Sequence, residues 1–302
     1  MKKLNKFIRT FVTKRGWSIV VFEANNPFDF KQMKEFNKPT ISKIDITDCK
    51  AKGIADPFLI KKDNIYYLFF EIEMIGKNGR GVLALAKSKD GKNFIYDKII
   101  LKEDYHLSYP KIYEINGKFY MIPESGENST IDIYEAQNFP YDWKKIKTIL
   151  KGNFFADPTL INHNNLWYLF VSTNKHNELN IYYSNDFFGE YKAHKNNPIY
   201  KNNLAISRPA GMIFEYENNL FRTAQDCSDG YGKRLNFLKI NKLNENEFNE
   251  ELIYTITPSC GIKWNSTHIH HYSFINDNGK YLITMDGAGF MYRLNKYLRK
   301  KD

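Results

Sequence analysis

An internal repeat constrains this chain more than any other feature. Five units in succession combine an apolar strand-like run, a polar turn and an aromatic run ending in a polar residue. They read ADPFLIKKDNIYYLFFE from Ala55, SYPKIYEINGKFYMIPE from Ser108, ADPTLINHNNLWYLFVS from Ala156, SRPAGMIFEYENNLFRTAQD from Ser207 and IHHYSFINDNGKYLITMD from Ile269. Four open on an X-Pro step and the fifth lacks the proline. In the first three, Asp56, Tyr109 and Asp157 are each followed fifteen residues later by Glu71, Glu124 and Ser172, a shared hairpin register. Lys62-Asp63-Asn64, Asn116-Gly117 and Asn164-Asn165 sit mid-unit, where a tight hairpin turn needs positive φ or local side-chain bonding.

Each unit therefore predicts two antiparallel strands, and runs such as Gly81 to Lys87 and Thr130 to Ala136 supply further strands. Four strands at a spacing of about fifty residues match one blade of a β-propeller. Aromatic content of 16% and the scarcity of Ala- and Leu-rich amphipathic runs favour pleated strands over helices. The expected fold is all-β, a five-bladed β-propeller over residues 49–292, flanked by a basic N-terminal segment and lead-in strand (1–48) and a basic tail (293–302). Kelch blades have a similar period, but their Gly-Gly doublet is absent from this sequence. Strand periodicity alone leaves a β-sandwich open.

If the first strand of each blade runs along a central channel, residues at one repeat position converge on one spot. That ring comprises Asp56, Tyr109, Asp157, Arg208 and His270, with Glu71, Glu124, Asp226 and Asp286 arriving on the second strands. Any single Asp-Pro is most often a turn former. Five polar residues in one register point to a site, because buried charge is costly unless paired or used.

The tandem ADP units resemble the five-bladed propeller of glycoside hydrolase family 43, and that resemblance implies Asp56 as general base and Asp157 as the group that tunes the acid. A second resemblance covers nearly the whole chain: it is similar to the N-terminal domain of the glucosamine inositolphosphorylceramide transferases and to bacterial counterparts in surface-polysaccharide loci. It is carried by His106-Leu107-Ser108-Tyr109-Pro110, Met121-Ile122-Pro123-Glu124-Ser125, Phe139-Pro140 with Trp143, and Gln225-Asp226-Cys227 with Tyr231-Gly232. The glycosyltransferase domain that the plant proteins carry separately is absent here, so their activity does not transfer directly.

The fourth unit departs from the hydrolase pattern, placing Arg208-Pro209 where those enzymes carry a proton-donating glutamate. A guanidinium cannot serve as a general acid near neutral pH, but it is a bidentate clamp for phosphate. It is equally a salt-bridge partner for Asp157 or Asp226. Asp56, Asp157, Glu124 and Glu71 are thus the catalytic candidates. Arg208, His106, Tyr109, His268, His270, Asp226 and Tyr231 are the substrate-binding ones. Strict alternation puts His268 and His270 on one strand face and His271 on the other. His268 and His270 would supply two ligands to a divalent metal, but no metal and no cofactor is predicted. Tyr109, Tyr231 and Trp264 are candidates for stacking on a sugar or for packing between blades. Cys227 reads as a small buried residue.

The net charge of +10 suits an anionic partner, although a sequence crowded with Lys, Asn and Ile also reflects base composition. Placement is more telling. Lys2, Lys3, Lys6, Arg9, Lys14 and Arg15 occur in residues 1–17 without an acid, and Leu4, Phe7, Ile8 and Phe11 follow helical spacing. Arg293, Lys296, Arg299, Lys300 and Lys301 repeat the theme. These ends read as an anionic-membrane contact through 1–17 and 293–301, or as ordinary helices packed on the body. Basic residues gathered at the ends rather than along an aromatic-lined groove argue against nucleic acid. Cys49, Cys227 and Cys260 make neither a disulfide framework nor a zinc site, and no signal-peptide core is present, so a cytoplasmic location, peripheral to the inner membrane face, is expected. The functional expectation is a glycosyltransferase of surface polysaccharide or glycolipid synthesis, using an anionic activated-sugar donor and a glycan or lipid-linked acceptor. A family-43-like hydrolase and a non-catalytic glycan-binding propeller are the alternatives.

Overall fold

All five sequence units fold into antiparallel hairpins closed by two residues of positive φ: Asp63-Asn64, Asn116-Gly117, Asn164-Asn165, Glu217-Asn218 and Asn278-Gly279. Such turns match the right-handed twist of the flanking strands and favour Asn, Asp and Gly, which is why the expected turns hold. A computed structural model describes residues 12–76, 79–173, 177–261 and 263–292, in which strands are the dominant regular structure and the only helices are two three-residue 3-10 turns. Among these residues no helix is long and apolar enough to cross a membrane.

The strands fall into five antiparallel groups. The first is β2 (Ala51–Lys62), β3 (Ile65–Met74), β4 (Gly81–Ser88) and β5 (Ile95–Leu101). The second is β6 (Ser108–Ile115), β7 (Lys118–Glu124), β8 (Thr130–Asn138) and β9 (Asp142–Lys151). β10 (Ala156–His163), β11 (Leu166–Thr173) and β12 (Glu178–Ser184) build the third, edged by the short β13 (Lys192–Ala193) and β14 (Tyr200–Lys201). β15 (Arg208–Tyr216), β16 (Asn219–Asp226), β17 (Arg234–Leu243) and β18 (Phe248–Ile256) form the fourth. In the fifth, β19 (His268–Asp277) and β20 (Lys280–Tyr292) are joined by β1 (Val12–Ala24), which pairs antiparallel along β20.

The first strands close a ring. β2 packs on β6, β6 on β10, β10 on β15, β15 on β19 and β19 back on β2. This is the β-propeller expected from the repeat, with one correction to its boundaries. The N-terminal segment is not a mere lead-in, because Val12 to Ala24 completes the fifth group. The helical reading of Leu4 to Phe11, and the tail from Arg293, lie outside the described residues.

Between neighbouring groups lie five apolar cores, and alternate side chains of one strand feed different cores. Leu68 and Phe70 join Ile19, Val21 and Leu282, while Phe69 joins Leu83, Ile112 and Met121. Ile122 packs with Leu169 and Val171, whereas Tyr168 and Phe170 pack with Leu220 and Ile240. Each sheet is covered on both faces, which explains why the second strands read as unbroken apolar runs rather than as alternation. Trp264 is fully buried against Phe22 and Phe237, so it packs between groups and does not stack on a ligand.

At the start of each first strand the ladder slips. Ala55 faces Glu71 but Phe58 faces Phe69, leaving an extra residue, and the same shift occurs between Ser108 and Lys111 and between Ala156 and Thr159. The residue before each proline, Asp56, Tyr109 or Asp157, has φ of +54°, +53° or +52°. Left-handed backbone at a non-glycine residue is strained and persists only where its surroundings enforce it. A bulge re-aims side chains, and here three in register are turned at the channel entrance.

Candidate functional site

A cavity of about 490 Å³ opens at the end of the ring where the first strands begin. That volume suits a sugar or a small glycan. Of the predicted residues, Asp56, Glu71, Glu124, His106, Arg208, Tyr231 and His270 line it. Trp17, Lys52, Glu73, Ser108, Glu127 and Phe154 line it too, and sequence reasoning did not find them. Trp17 was hidden in a segment read as an extension. Its ring stacks on His270 with centroids 4.0 Å apart.

Two hydrogen bonds follow one rule. The backbone N–H of Asp157 donates to Glu124 Oε2 at 3.0 Å, and that of Asp56 donates to Asp286 Oδ2 at 2.8 Å. In each case a carboxylate on the second strand of one group caps the bulge N–H of the next, satisfying a donor that the slipped ladder abandons.

Asp157 is fully buried and does not line the cavity. Arg208 holds it in a fork, Nε to Oδ2 and Nη2 to Oδ1 at 3.2 Å, while Gln225 Nε2 donates to Oδ2 at 2.8 Å. Arg208 Nη2 is also 3.5 Å from Glu124 Oε2, and its guanidinium lies over the Tyr231 ring at 5.0 Å. Of the two readings left open for Arg208, the salt bridge to Asp157 is the one formed, although the residue does reach the cavity.

Glu71 is the distinctive carboxyl. Burial, reinforced by the nearby charges of Asp56 and Glu124, pushes its pKa well above the usual carboxylate range. His106 accepts from the Gly81 N–H at Nδ1 (2.9 Å), so its Nε2 carries the proton, 3.4 Å from Glu71 Oε1. Burial lowers the His106 pKa, keeping the ring neutral. A Cβ at Gly81 would fall 2.5 Å from Glu71 Oε1 and 2.3 Å from the Leu107 carbonyl oxygen, so only glycine admits this arrangement. Glu124 is likewise raised by burial and by Asp157, with Arg208 opposing.

Opposite lies a charged pair. His270 Nδ1 is 2.8 Å from Asp286 Oδ1. Burial acts to lower the His270 pKa and raise that of Asp286, but mutual attraction outweighs it, leaving His270 raised and Asp286 lowered. Strict alternation predicted that His271 turns away. Instead the ladder slips between Ile269 and His271, and both rings approach Asp56 Oδ1, His270 at 4.0 Å and His271 at 3.5 Å. The ring nitrogens of His271 have no hydrogen-bond partner among the described residues. Asp56, His270 and Asp286 have ligand atoms within 4.8 Å of one another and would be the donors to any metal held here. His268 would not belong to that set, because it sits beside Trp17 with Nδ1 2.9 Å from Thr267 Oγ1.

Three more predicted residues fall outside the cavity. Besides His268, Asp226 pairs with Arg234 at 2.7 Å and accepts from Ser228. Tyr109 points into the ring below, its hydroxyl donating to the Gly211 carbonyl at 2.7 Å, accepting from the Gly211 N–H and meeting Thr159 Oγ1 at 2.6 Å. Tyr109→Phe should therefore lower stability by about 1–3 kcal/mol, the cost of leaving buried polar groups unpaired, a loss that paired melting curves of the two proteins would register. Cys227 is half-buried, with Sγ 3.5 Å from the Gly232 N–H. Gly232 has φ of +60° and lies where a Cβ would meet His270 and Trp17 at 2.9–3.0 Å, which accounts for the Tyr231-Gly232 pair.

Residues 13–288 match the family described as glucosamine inositolphosphorylceramide transferase 1, N-terminal. The glucosamine inositolphosphorylceramide transferase 1 of Arabidopsis thaliana is 34% identical over 298 residues, covering 90% of this chain and 39% of that protein. Its counterpart from Oryza sativa subsp. japonica is 32% identical over 251 residues, covering 78% and 33%. The chain thus spans well under half the length of these relatives. Among solved structures, a family 117 glycoside hydrolase from Zobellia galactanivorans superposes with a TM-score of 0.53 at 13% identity, covering 94% of this chain and 92% of that one. An exo-β-1,3-galactanase from Clostridium thermocellum gives 0.56 at 16% identity, covering 82% and 63%. These likenesses establish the propeller fold alone. The match across nearly the whole described body establishes more: this chain belongs to the glucosamine inositolphosphorylceramide transferase N-terminal family.

Proposed function

We propose that this chain is a glycosyltransferase whose five strand groups act as five blades around a central sugar site. The observation that carries this reading is Glu71, a carboxyl whose pKa burial pushes well above the usual range, lining the same cavity as Asp56. Two carboxyl groups lining one cavity, one of them pushed by burial toward its protonated form, suit paired acid and base catalysis at an anomeric centre. Glu71 protonates the leaving oxygen of an activated-sugar donor. Asp56, steadied by His270 and His271, takes the proton of the acceptor hydroxyl. Glu124 and His106 orient hydroxyls, and Trp17 and Tyr231 offer faces to the sugar ring. Asp157 acts through Arg208 and Glu124, tuning charge rather than touching substrate.

Five carboxyl groups line the cavity against Lys52 and Arg208 as its permanent cations. The sugar of the donor therefore occupies the carboxyl-rich floor, with its phosphate toward Arg208 and Lys52. That acidic lining also favours a second reading, hydrolysis, in which water replaces the acceptor over the same pair. Incubation with a nucleotide-sugar panel and a glycolipid acceptor, beside nitrophenyl glycosides, separates the readings. Transfer product supports the first and free sugar alone supports the second. Ligand binding without turnover in either assay overturns both.

A pH prediction follows from Glu71. Its pKa is raised on folding, so the folded state binds the proton more tightly. The stabilisation is fully present below the ordinary glutamate value and is lost as pH rises through the folded value. The parent's melting temperature should therefore fall relative to Glu71→Gln as pH increases above the usual carboxylate range, and turnover should fall on the same alkaline limb. Parallel melting curves for the two proteins across pH would show that Glu71 is ionised in the fold.

A further inference from the structure

The slip in the β19–β20 ladder gathers two consecutive imidazoles, His270 and His271, at the carboxylate of Asp56. Asp286 joins them from β20. Its Oδ2 accepts from the Asp56 N–H at 2.8 Å, while its Oδ1 lies 2.8 Å from His270 Nδ1 without the alignment of a hydrogen bond. His271 is fully buried, and neither of its ring nitrogens has a hydrogen-bond partner among the described residues, although Nδ1 is 3.5 Å from Asp56 Oδ1. Burying polar atoms without partners is costly, so an orphaned imidazole in such company calls for a ligand. Both rings are held in place by aromatic packing. Trp17 stacks on His270, and Phe58 and Tyr109 meet His271 close to edge-on, with centroids 4.6 and 5.3 Å away.

We infer that Asp56, His270, Asp286 and His271 bind one divalent transition-metal ion, of the zinc or manganese type, at the floor of the cavity. Two donors that each sit about 2.0–2.2 Å from one ion are at most about 4.4 Å apart. The His270–Asp286, His271–Asp56 and His270–Asp56 separations, 2.8, 3.5 and 4.0 Å, all fall inside that limit. Two carboxylates balance the charge of a dication. Two imidazole nitrogens favour a transition metal over calcium or magnesium, which take oxygen ligands. The bond from the Asp56 N–H to Asp286 and the aromatic packing of both rings are the outer contacts that orient metal ligands. Asp56 and His270 line the cavity, whereas Asp286 and His271 lie behind them. A hydroxyl or phosphate oxygen of a bound ligand therefore completes the coordination from the cavity side. A carboxylate has two oxygens, so Asp56 can hold the ion through one and keep the other for an acceptor proton. The inference does not depend on the glycosyltransferase reading, since a hydrolase or a sugar-binding propeller would hold the ion with the same residues.

The test is calorimetric titration of the untagged full chain, first stripped with a chelator, with manganese, zinc, calcium or magnesium chloride and no sugar present. Manganese or zinc should bind with a stoichiometry of one, at least tenfold more tightly than calcium or magnesium. At a hundred times its dissociation constant the preferred ion should raise the melting temperature by about 5 °C. His270→Gln, His271→Gln and Asp286→Asn should each weaken binding at least tenfold, because loss of a ligand costs no less than loss of an outer contact. His268→Gln is the control, for His268 lies on the same strand but outside the set, and it should bind like the parent. Melting curves in chelator identify the variants that remain folded. Failure of the parent to bind either transition metal at one site would overturn the inference whatever the variants do. So would parental affinity in folded His270→Gln or His271→Gln, which would mark the ion as adventitious on surface groups. Equal loss by His268→Gln, or calcium bound as tightly as manganese and zinc, would also defeat it. Because no sugar or turnover enters these measurements, failure of the metal site and failure of the transferase reading stay distinguishable.

Discussion

Arg208→Ala should melt well below the parent. The guanidinium is almost wholly enclosed, forks onto the fully buried Asp157 and reaches Glu124, so its removal strands two carboxyl groups without compensation. Breaking a buried pair from one side costs about 3–5 kcal/mol. At roughly 2 °C per kcal/mol for a chain of this length, the melting temperature should fall by about 6–10 °C. Arg208→Lys should recover only part, because an ammonium cannot reproduce the fork. Combining Arg208→Met with Asp157→Asn should recover more than Arg208→Ala, since it removes the stranded charge and asparagine tolerates the left-handed backbone at that position. The phosphate-clamp role envisaged from sequence is thereby narrowed. On the proposed reading Arg208 would serve a donor only through what it still presents to the cavity, and donor affinity must be measured on the folded fraction. An unchanged melting temperature for Arg208→Ala would show that the Asp157 fork contributes nothing to the fold.

The second large effect, on the proposed glycosyltransferase reading, is catalytic. Asp56→Asn should reduce kcat by about 10²–10⁴-fold, the usual contribution of a positioned general base, with little change in donor affinity. The substitution is chosen for its backbone. Asp56 has φ of +54°, which asparagine accepts and alanine resists, so the strand start is preserved. Its N–H still donates to Asp286, leaving the link between the first and fifth groups intact. Single-turnover rates and calorimetric binding of the donor separate the two quantities. A variant that keeps full kcat would remove Asp56 from the chemistry, and one that loses donor binding in proportion to rate would make it a binding residue only.

Much of this architecture is legible in the sequence because it is local. Two-residue turns of Asn, Asp and Gly determine hairpin positions through φ alone, and the repeat of X-Pro steps marks where each first strand begins. That was enough to identify Asp56, Glu71, Glu124, Arg208 and His270 as neighbours around one axis. Which of the ring residues reach the cavity was decided only in three dimensions. Tyr109 and Asp157 share the backbone of Asp56 yet point into the packed ring, where Gly211, Thr159 and Arg208 wait for them. His271 joins Asp56 because an unpaired residue in β19 interrupts the alternation on which a two-residue period depends. Trp17 arrives from the far end of the chain, carried by β1 as it completes the fifth group. A periodic pattern specifies which face a side chain takes along one strand, but a bulge resets that phase and ring closure joins residues hundreds of positions apart, and both are consequences of packing among whole strand groups.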